Sequence, residues 1–195
     1  MHVDLLAASS IGVGAGIALS VAAVVILWTV LIYNGLIRKR MGVKAAWAQI
    51  DVQLKRRHDL IPNVVETVKG YAGHEKDTLD RVIKARNQAV GASGVAATAA
   101  SENMLSGALR QLFALSEAYP DLKANTNFQQ LSEELASTEN KISFARQTYN
   151  NCVGLYNEAI MVFPSVILAN MFAFRAEEFY ELDEPAAREA PKVSL

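Results

Sequence analysis

The sequence predicts an all-α protein, with an N-terminal transmembrane helix followed by an elongated antiparallel helical bundle of the four-helix type. Three observations predict it. Leu5 to Ile37 contains no charged residue. Three later stretches repeat apolar residues at spacings of three and four, the period of an amphipathic helix. No stretch alternates apolar and polar residues as a half-buried strand does.

Ile11 to Tyr33 is almost entirely apolar or small. A helix of that length crosses a hydrocarbon core about 30 Å thick. A cleaved secretory signal fits less well, because such a signal opens on basic residues and ends in small ones after a short apolar core. Here Asp4 precedes the run, and Tyr33-Asn34-Gly35-Leu36 followed by Arg38, Lys39 and Arg40 closes it. The expected organisation is a short external tail over 1–8, an anchor and juxtamembrane segment over 9–37, a helical bundle over 38–182 and a disordered tail over 183–195. That tail is rich in Pro, Ala and charge and has no apolar period. Asn34-Gly35 and Gly42 are expected hinges between anchor and bundle.

Orientation follows from bases near the span. The leading flank has no Lys or Arg, whereas Arg38, Lys39, Arg40 and Lys44 follow it. The expected topology is single-pass in the cell (inner) membrane, with the N-terminus outside and the C-terminal domain cytoplasmic. Trp28 and Tyr33 suit the aromatic belt on the basic side. The same four bases are candidate contacts for anionic lipid headgroups, worth about 1 kcal/mol each near the surface. Gly12, Gly16 and Ser20 continue a four-residue stripe from Ala8 and are candidate membrane helix–helix contacts of a homo-oligomer. The plainer account is that small residues are common in membrane helices.

The 158 residues after Ile37, 38–195, suffice for one domain with a real core. A net charge of −1 gives no field for nucleic acid, so none is expected as a partner. Cys152 is the single cysteine, which excludes internal disulfides and thiolate metal clusters.

Val43, Trp47, Ile50, Leu54, Ile61, Val65, Val68 and Ala72 mark the first amphipathic helix. Pro62 removes a backbone donor inside it, so a kink or break is expected near Leu60. Gly70, Gly73 and His74 mark its end. The span 75–119 reads as one long helix, frayed in the Gly/Ala/Ser stretch from Gly91; two helices split near Gly91 to Gly94 are the alternative. Pro120-Asp121 closes it. From Phe128 to Phe163 the three-four rhythm persists almost without fault, predicting some 36 residues of helix, about 54 Å, with coiled-coil-like packing. Asn125, Thr126 and Asn127 offer N-cap oxygens. Phe163-Pro164-Ser165 then introduces a short apolar helix over 166–174.

Several blocks resemble the LemA family of bacterial membrane proteins. They are Tyr33-Asn34, Ala46-Trp47, Ile50 to Arg57, Asp59 to Asn63, Val68 to Tyr71, His74-Glu75 and Ala85-Arg86. Further on come Glu117, Tyr119 to Asn125, Glu139-Asn140, Ala145-Arg146, Tyr149-Asn150, Tyr156-Asn157 and Phe163-Pro164-Ser165. They follow one another from Tyr33 to Phe163, and the tail after Leu182 falls outside them. The resemblance implies a single-pass anchor with a four-helix-type domain and no established enzymatic activity. It also implies an association with membrane proteases and envelope-maintenance systems.

Polar residues within the helical rhythm are the candidates for more than packing: Asp51, Arg57, Glu139, Asn140 and Arg146, read as a buried polar network. Glu139 and Arg146 stand two turns apart on one helix face, and a buried charge needs a partner. A register-setting role is favoured over a ligand site. A di-iron bundle needs Glu-x-x-His, yet Lys55 and Tyr71 precede His58 and His74 by three. His74-Glu75 lacks a histidine at position 78, which is Thr78. No catalytic set, metal site or cofactor is implied, and the chain does not read as an enzyme. The expected partners are the lipid bilayer and an unidentified protein bound by a membrane-anchored scaffold or adaptor. The alternative is a sensor holding a peptide or small molecule in a cleft lined by Asp51, Arg57, Glu139 and Arg146.

Overall fold

A computed structural model describes the backbone over residues 2–181, with side chains at Gly16 and over 19–181. The expected tail 183–195 lies outside the described residues, as do the surroundings of Gly12. Six helices follow in order: α1 His2–Tyr71, α2 Lys76–Gly91, α3 Val95–Ser116, α4 Pro120–Lys123, α5 Thr126–Met161 and α6 Ser165–Met171. No strand occurs among the described residues. Two compact units result, Met1–Gly42 with Gly154–Glu177, and Val43–Val153 with Glu178–Leu195.

In the first unit α1 begins as a helix exposed on every described face, including Leu19, Val24, Ile26, Leu27 and Leu31. It is long and apolar enough to cross a membrane. Ser20 turns its hydroxyl back to the Gly16 carbonyl at 2.9 Å. Burial starts at Leu36. Tyr33 takes the edges of Phe172 and Phe174, at centroid distances of 4.9 and 5.8 Å. Arg40 pairs with Glu177 at 3.6 Å, while Arg38 and Lys39 remain exposed. The helix passes through residue 8, Asn34-Gly35, residue 37 and Gly42 without a break, so none of these positions ends an element. A helical backbone satisfies its own hydrogen bonds, and nothing local forces it to stop there.

The second unit is an up-down-up-down bundle of α1 from Val43, α2, α3 and α5 to Val153. Its directions follow from the pairs that touch. Tyr71 meets Asn125, and Trp47 meets Tyr149, so α1 and α5 are antiparallel. Arg57 meets Glu102, and Glu75 meets Tyr119, so α3 runs with α1. Ile61, Val64, Val68, Val82, Leu105, Leu112, Leu122 and Leu135 form the core. Asn125 caps α5 by accepting from the Phe128 N–H at 3.0 Å, and α5 has the 36 residues its apolar repeat predicts.

Two sequence expectations are corrected. The span 75–119 is two helices, broken at Ala92-Ser93-Gly94, where Gly94 adopts φ 85°. That left-handed region suits a residue without a Cβ. Of the kink or break expected at Pro62, the break does not occur, and α1 continues to Tyr71. Proline leaves the carbonyl four residues earlier without its helical donor. That carbonyl belongs to His58, and Arg86 Nε donates to it at 3.1 Å from α2. A guanidinium thus replaces the missing amide. Arg86→Met is expected to cost roughly 1–3 kcal/mol in a denaturant titration, the penalty for an orphaned, partly buried carbonyl. In a Pro62→Ala background the cost is expected to shrink, because alanine restores the amide. An equal cost in both backgrounds would assign Arg86 some other role.

Candidate functional site

The second unit carries an open cleft of about 590 Å³, walled by α1, α3 and α5 and by Tyr180. Its lining combines the apolar Leu109, Phe113, Leu135 and Ile142 with the charged Arg57, Glu102, Glu139, Arg110 and Arg146.

Arg57 and Glu102 are both buried, with side chains 5% exposed. Arg57 Nη1 donates to Glu102 Oε2 at 3.2 Å and reaches Glu139 Oε2 at 3.0 Å, while Nη2 donates to Ser106 Oγ at 2.7 Å. The other Glu102 oxygen lies 2.6 Å from His58 Nε2. With Glu102 ionised, that nitrogen carries the proton, since a carboxylate only accepts. Two consecutive residues of α1 therefore close on one carboxylate of α3. Glu139, on α5, is 45% exposed and faces the opening.

Arg110 and Arg146 have no ion pair among the described residues. Arg146 lies 5.7 Å from the Tyr180 ring centroid, a cation–π arrangement. Asn150 seats Tyr180: its Nδ2 donates to the Tyr180 carbonyl at 3.1 Å, and its Oδ1 accepts the Tyr180 N–H at 2.8 Å. Tyr149 donates its phenol to the Glu178 carbonyl at 2.9 Å, and Trp47 lies against both tyrosine rings.

Burial, reinforced by the Glu102 carboxylate, pushes the Tyr180 phenol up to about 12, although Arg146 and Arg57 pull it down. A pKa raised on folding favours the neutral phenol in the folded state. Its contribution is complete below the ordinary value of 10 and lost as pH rises toward about 12. Stability is expected to fall across that window, and Tyr180→Phe should flatten the fall. Tyrosinate absorbance followed alongside alkaline unfolding checks both.

The description "LemA family" matches the chain over residues 46–195. The chain belongs to the LemA family. Magnetosome protein MamQ of Magnetospirillum gryphiswaldense is 24% identical over 198 residues, covering 87% of this chain and 72% of the relative. Protein LemA of Metamycoplasma hominis is 26% identical over 160 residues, covering 77% and 72%. The LemA match extends through the tail beyond Leu182, past the blocks by which the sequence resembles the family.

Of the five LemA-like polar residues singled out by sequence, the fold brings Arg57, Glu139 and Arg146 to the cavity. Asp51 is exposed elsewhere on α1. Asn140 is also exposed; it lines a second groove with Gln53, Lys141 and Phe144. The phase of α1 explains Asp51: Ile50, Leu54, Arg57 and Ile61 point inward, leaving Asp51 on the outer face. Sequence reasoning missed Glu102, the buried centre of the cluster. The available signal is its place on a helical stripe with Thr98, Leu105, Leu109, Leu112 and Ser116, all buried.

Proposed function

We propose that this LemA protein is a membrane-tethered receptor whose bundle binds a small organic anion with an apolar body. The cavity carries this reading. Its volume lies within the range of about 300–1,000 Å³ usual for ligand sites. Its three arginines outnumber its two glutamates, giving a formal surplus of one positive charge. The Arg57–Glu102 pair is already satisfied and serves as a fixed floor, whereas Arg110 and Arg146 have guanidinium donors to offer. Arginine suits a carboxylate because its planar fork matches the two oxygens. Leu109, Phe113, Leu135 and Ile142 would take the apolar part. The span over 19–37 keeps this domain at a membrane, and the bases from Arg38 to Lys44 support placing it on the cytoplasmic side.

The test is a thermal shift of the full chain in lipid nanodiscs against N-acyl amino acids and their carboxamides. A free carboxylate is expected to raise the melting temperature while its carboxamide does not, and Arg110→Gln with Arg146→Gln should abolish the rise. Equal shifts from acid and amide, or none from either, would overturn the reading.

A protein adaptor is the second reading, favoured by the groove along α1 and α5. Val52 and Phe144 are exposed there, and Gln53 Oε1 is buried with no hydrogen-bond partner among the described residues. Affinity capture in mild detergent should then recover a partner that Phe144→Glu loses. Identical recovery from both chains would leave the groove without that role.

A further inference from the structure

From Ala159 to Phe174 sixteen consecutive residues carry no charge, bounded by Glu158 and Arg175. This stretch ends α5 and contains α6, all within the first unit. Only one face of α6 is packed, through Leu168 and Ala169. The rest exposes large apolar side chains: Phe163 is 79% exposed, Met171 63% and Ile167 57%, with Met161, Val162 and Phe172 exposed beside them. Water is a poor environment for such a surface.

Its position says what covers it. Tyr33 holds Phe172 and Phe174, whereas Arg40, seven residues further along α1, pairs with Glu177. Seven helical residues advance about 10.5 Å. From Phe172 to Glu177 the chain therefore climbs along α1 toward its basic end. α6, which immediately precedes Phe172, lies at the apolar end of that climb, beside Tyr33. The Asn157 side chain fixes the upper end: its Nδ2 donates to the Glu177 carbonyl and its Oδ1 accepts the Glu177 N–H, both at 2.9 Å. Tyr156 adds a bond to the Arg175 carbonyl at 2.9 Å. At the lower end the Phe174 N–H returns to the Ala169 carbonyl at 2.9 Å, with Ala173 left-handed at φ 54°. That closure turns both phenylalanines onto Tyr33. α6 is bent 93° from α5.

We propose that Met161–Phe172 is a second membrane element, an interfacial segment embedded in the acyl boundary of the leaflet that the basic end of the span enters. Tyr33 joins the exposed belt of the span to the segment that follows α6, and the lipid bilayer is the occupant of both apolar surfaces. Interfacial helices lie flat, with the apolar face a few ångströms below the headgroups. Unlike the cavity, this surface concerns lipid alone and does not depend on the receptor reading.

The test uses the full chain in nanodiscs, in a Cys152→Ala background with single cysteines at 163, 167 and 171 labelled with an environment-sensitive dye. A label at 144, exposed on α5, is the aqueous control. Blue-shifted emission and quenching by nitroxides on the lipid chains are expected at 163, 167 and 171 and not at 144. Water-like emission at 163 and 167 would overturn the proposal. So would a blue shift without lipid-chain quenching, which would assign the surface to a protein or a second copy of this chain. Because a label can disturb packing, Phe163→Trp in a Trp28→Phe, Trp47→Phe background with brominated lipids provides a second measurement. Absence of quenching there counts equally against the proposal.

Discussion

Replacing Arg57 with methionine is expected to cost roughly 3–5 kcal/mol of stability, the range for breaking a buried ion pair from one side. The reason is what remains. Glu102, with a side chain only 5% exposed, would keep one oxygen on His58 and lose the charge that balances it. Ser106 would lose its donor, and Glu139 would turn to solvent. Most of the cost therefore comes from the desolvated carboxylate. Three comparisons separate this account from simple loss of packing. Glu102→Gln removes the charge but keeps the shape, and should cost less than Arg57→Met. Arg57→Met with Glu102→Leu removes both charges and should recover part of the loss, because the penalty of an unpaired carboxylate disappears. Glu139→Ala should cost only about 0–1 kcal/mol, since a half-exposed carboxylate is screened by water. The measurement is denaturant unfolding followed through Trp47, which packs against Tyr149 and Tyr180 in the same unit. If Glu139→Ala proved as costly as Arg57→Met, the centre of the cluster would have been assigned to the wrong carboxylate.

That pair of glutamates shows where sequence reading stops. Glu139 and Arg146 could be paired from sequence because they share one helix, and the helical period fixes which face each occupies. Glu102 could not, because its partners lie on α1, 45 residues away. Apolar periodicity shows which face of a helix is buried and leaves open which helix covers it. For the same reason α5 was legible to its length and the α1 stripe to its phase, yet that phase turns Asp51 outward, against its reading as a member of the buried network. The break at Gly94 was ambiguous because alanine and glycine on either side pull helix propensity in opposite directions. Pro62 misled because a local rule assumes that an orphaned carbonyl stays orphaned. Arg86 supplies the donor across a tertiary contact that no local window contains. The cavity is of the same kind: each arginine is visible in sequence, and their convergence is a property of the packing.

Asn150→Ala is expected to release the segment Glu178–Glu181 from α5. A primary amide presents one donor and one acceptor in the geometry of a backbone strand, so Asn150 satisfies both backbone groups of Tyr180 at once. Alanine leaves both groups without partners, at about 1–3 kcal/mol each if they stay buried. The segment should therefore lift into water instead of paying that penalty. The same device recurs one heptad later, where Asn157 holds Glu177 in the first unit. Three readouts should move together in Asn150→Ala. Amide exchange should accelerate over 178–181, the Tyr180 phenol should fall from about 12 toward its ordinary value of 10 as it meets water, and Trp47 emission should shift as the Tyr180 ring leaves. Asn150→Asp keeps the acceptor for the Tyr180 N–H but loses the donor to its carbonyl, so it should fall between the two. Because Tyr180 forms one wall of the cavity, ligand binding should weaken along the same series. If the Tyr180 phenol stayed near 12 in Asn150→Ala, Trp47 and Arg146 would be sufficient to hold the ring, and the asparagine would be dispensable to the clamp.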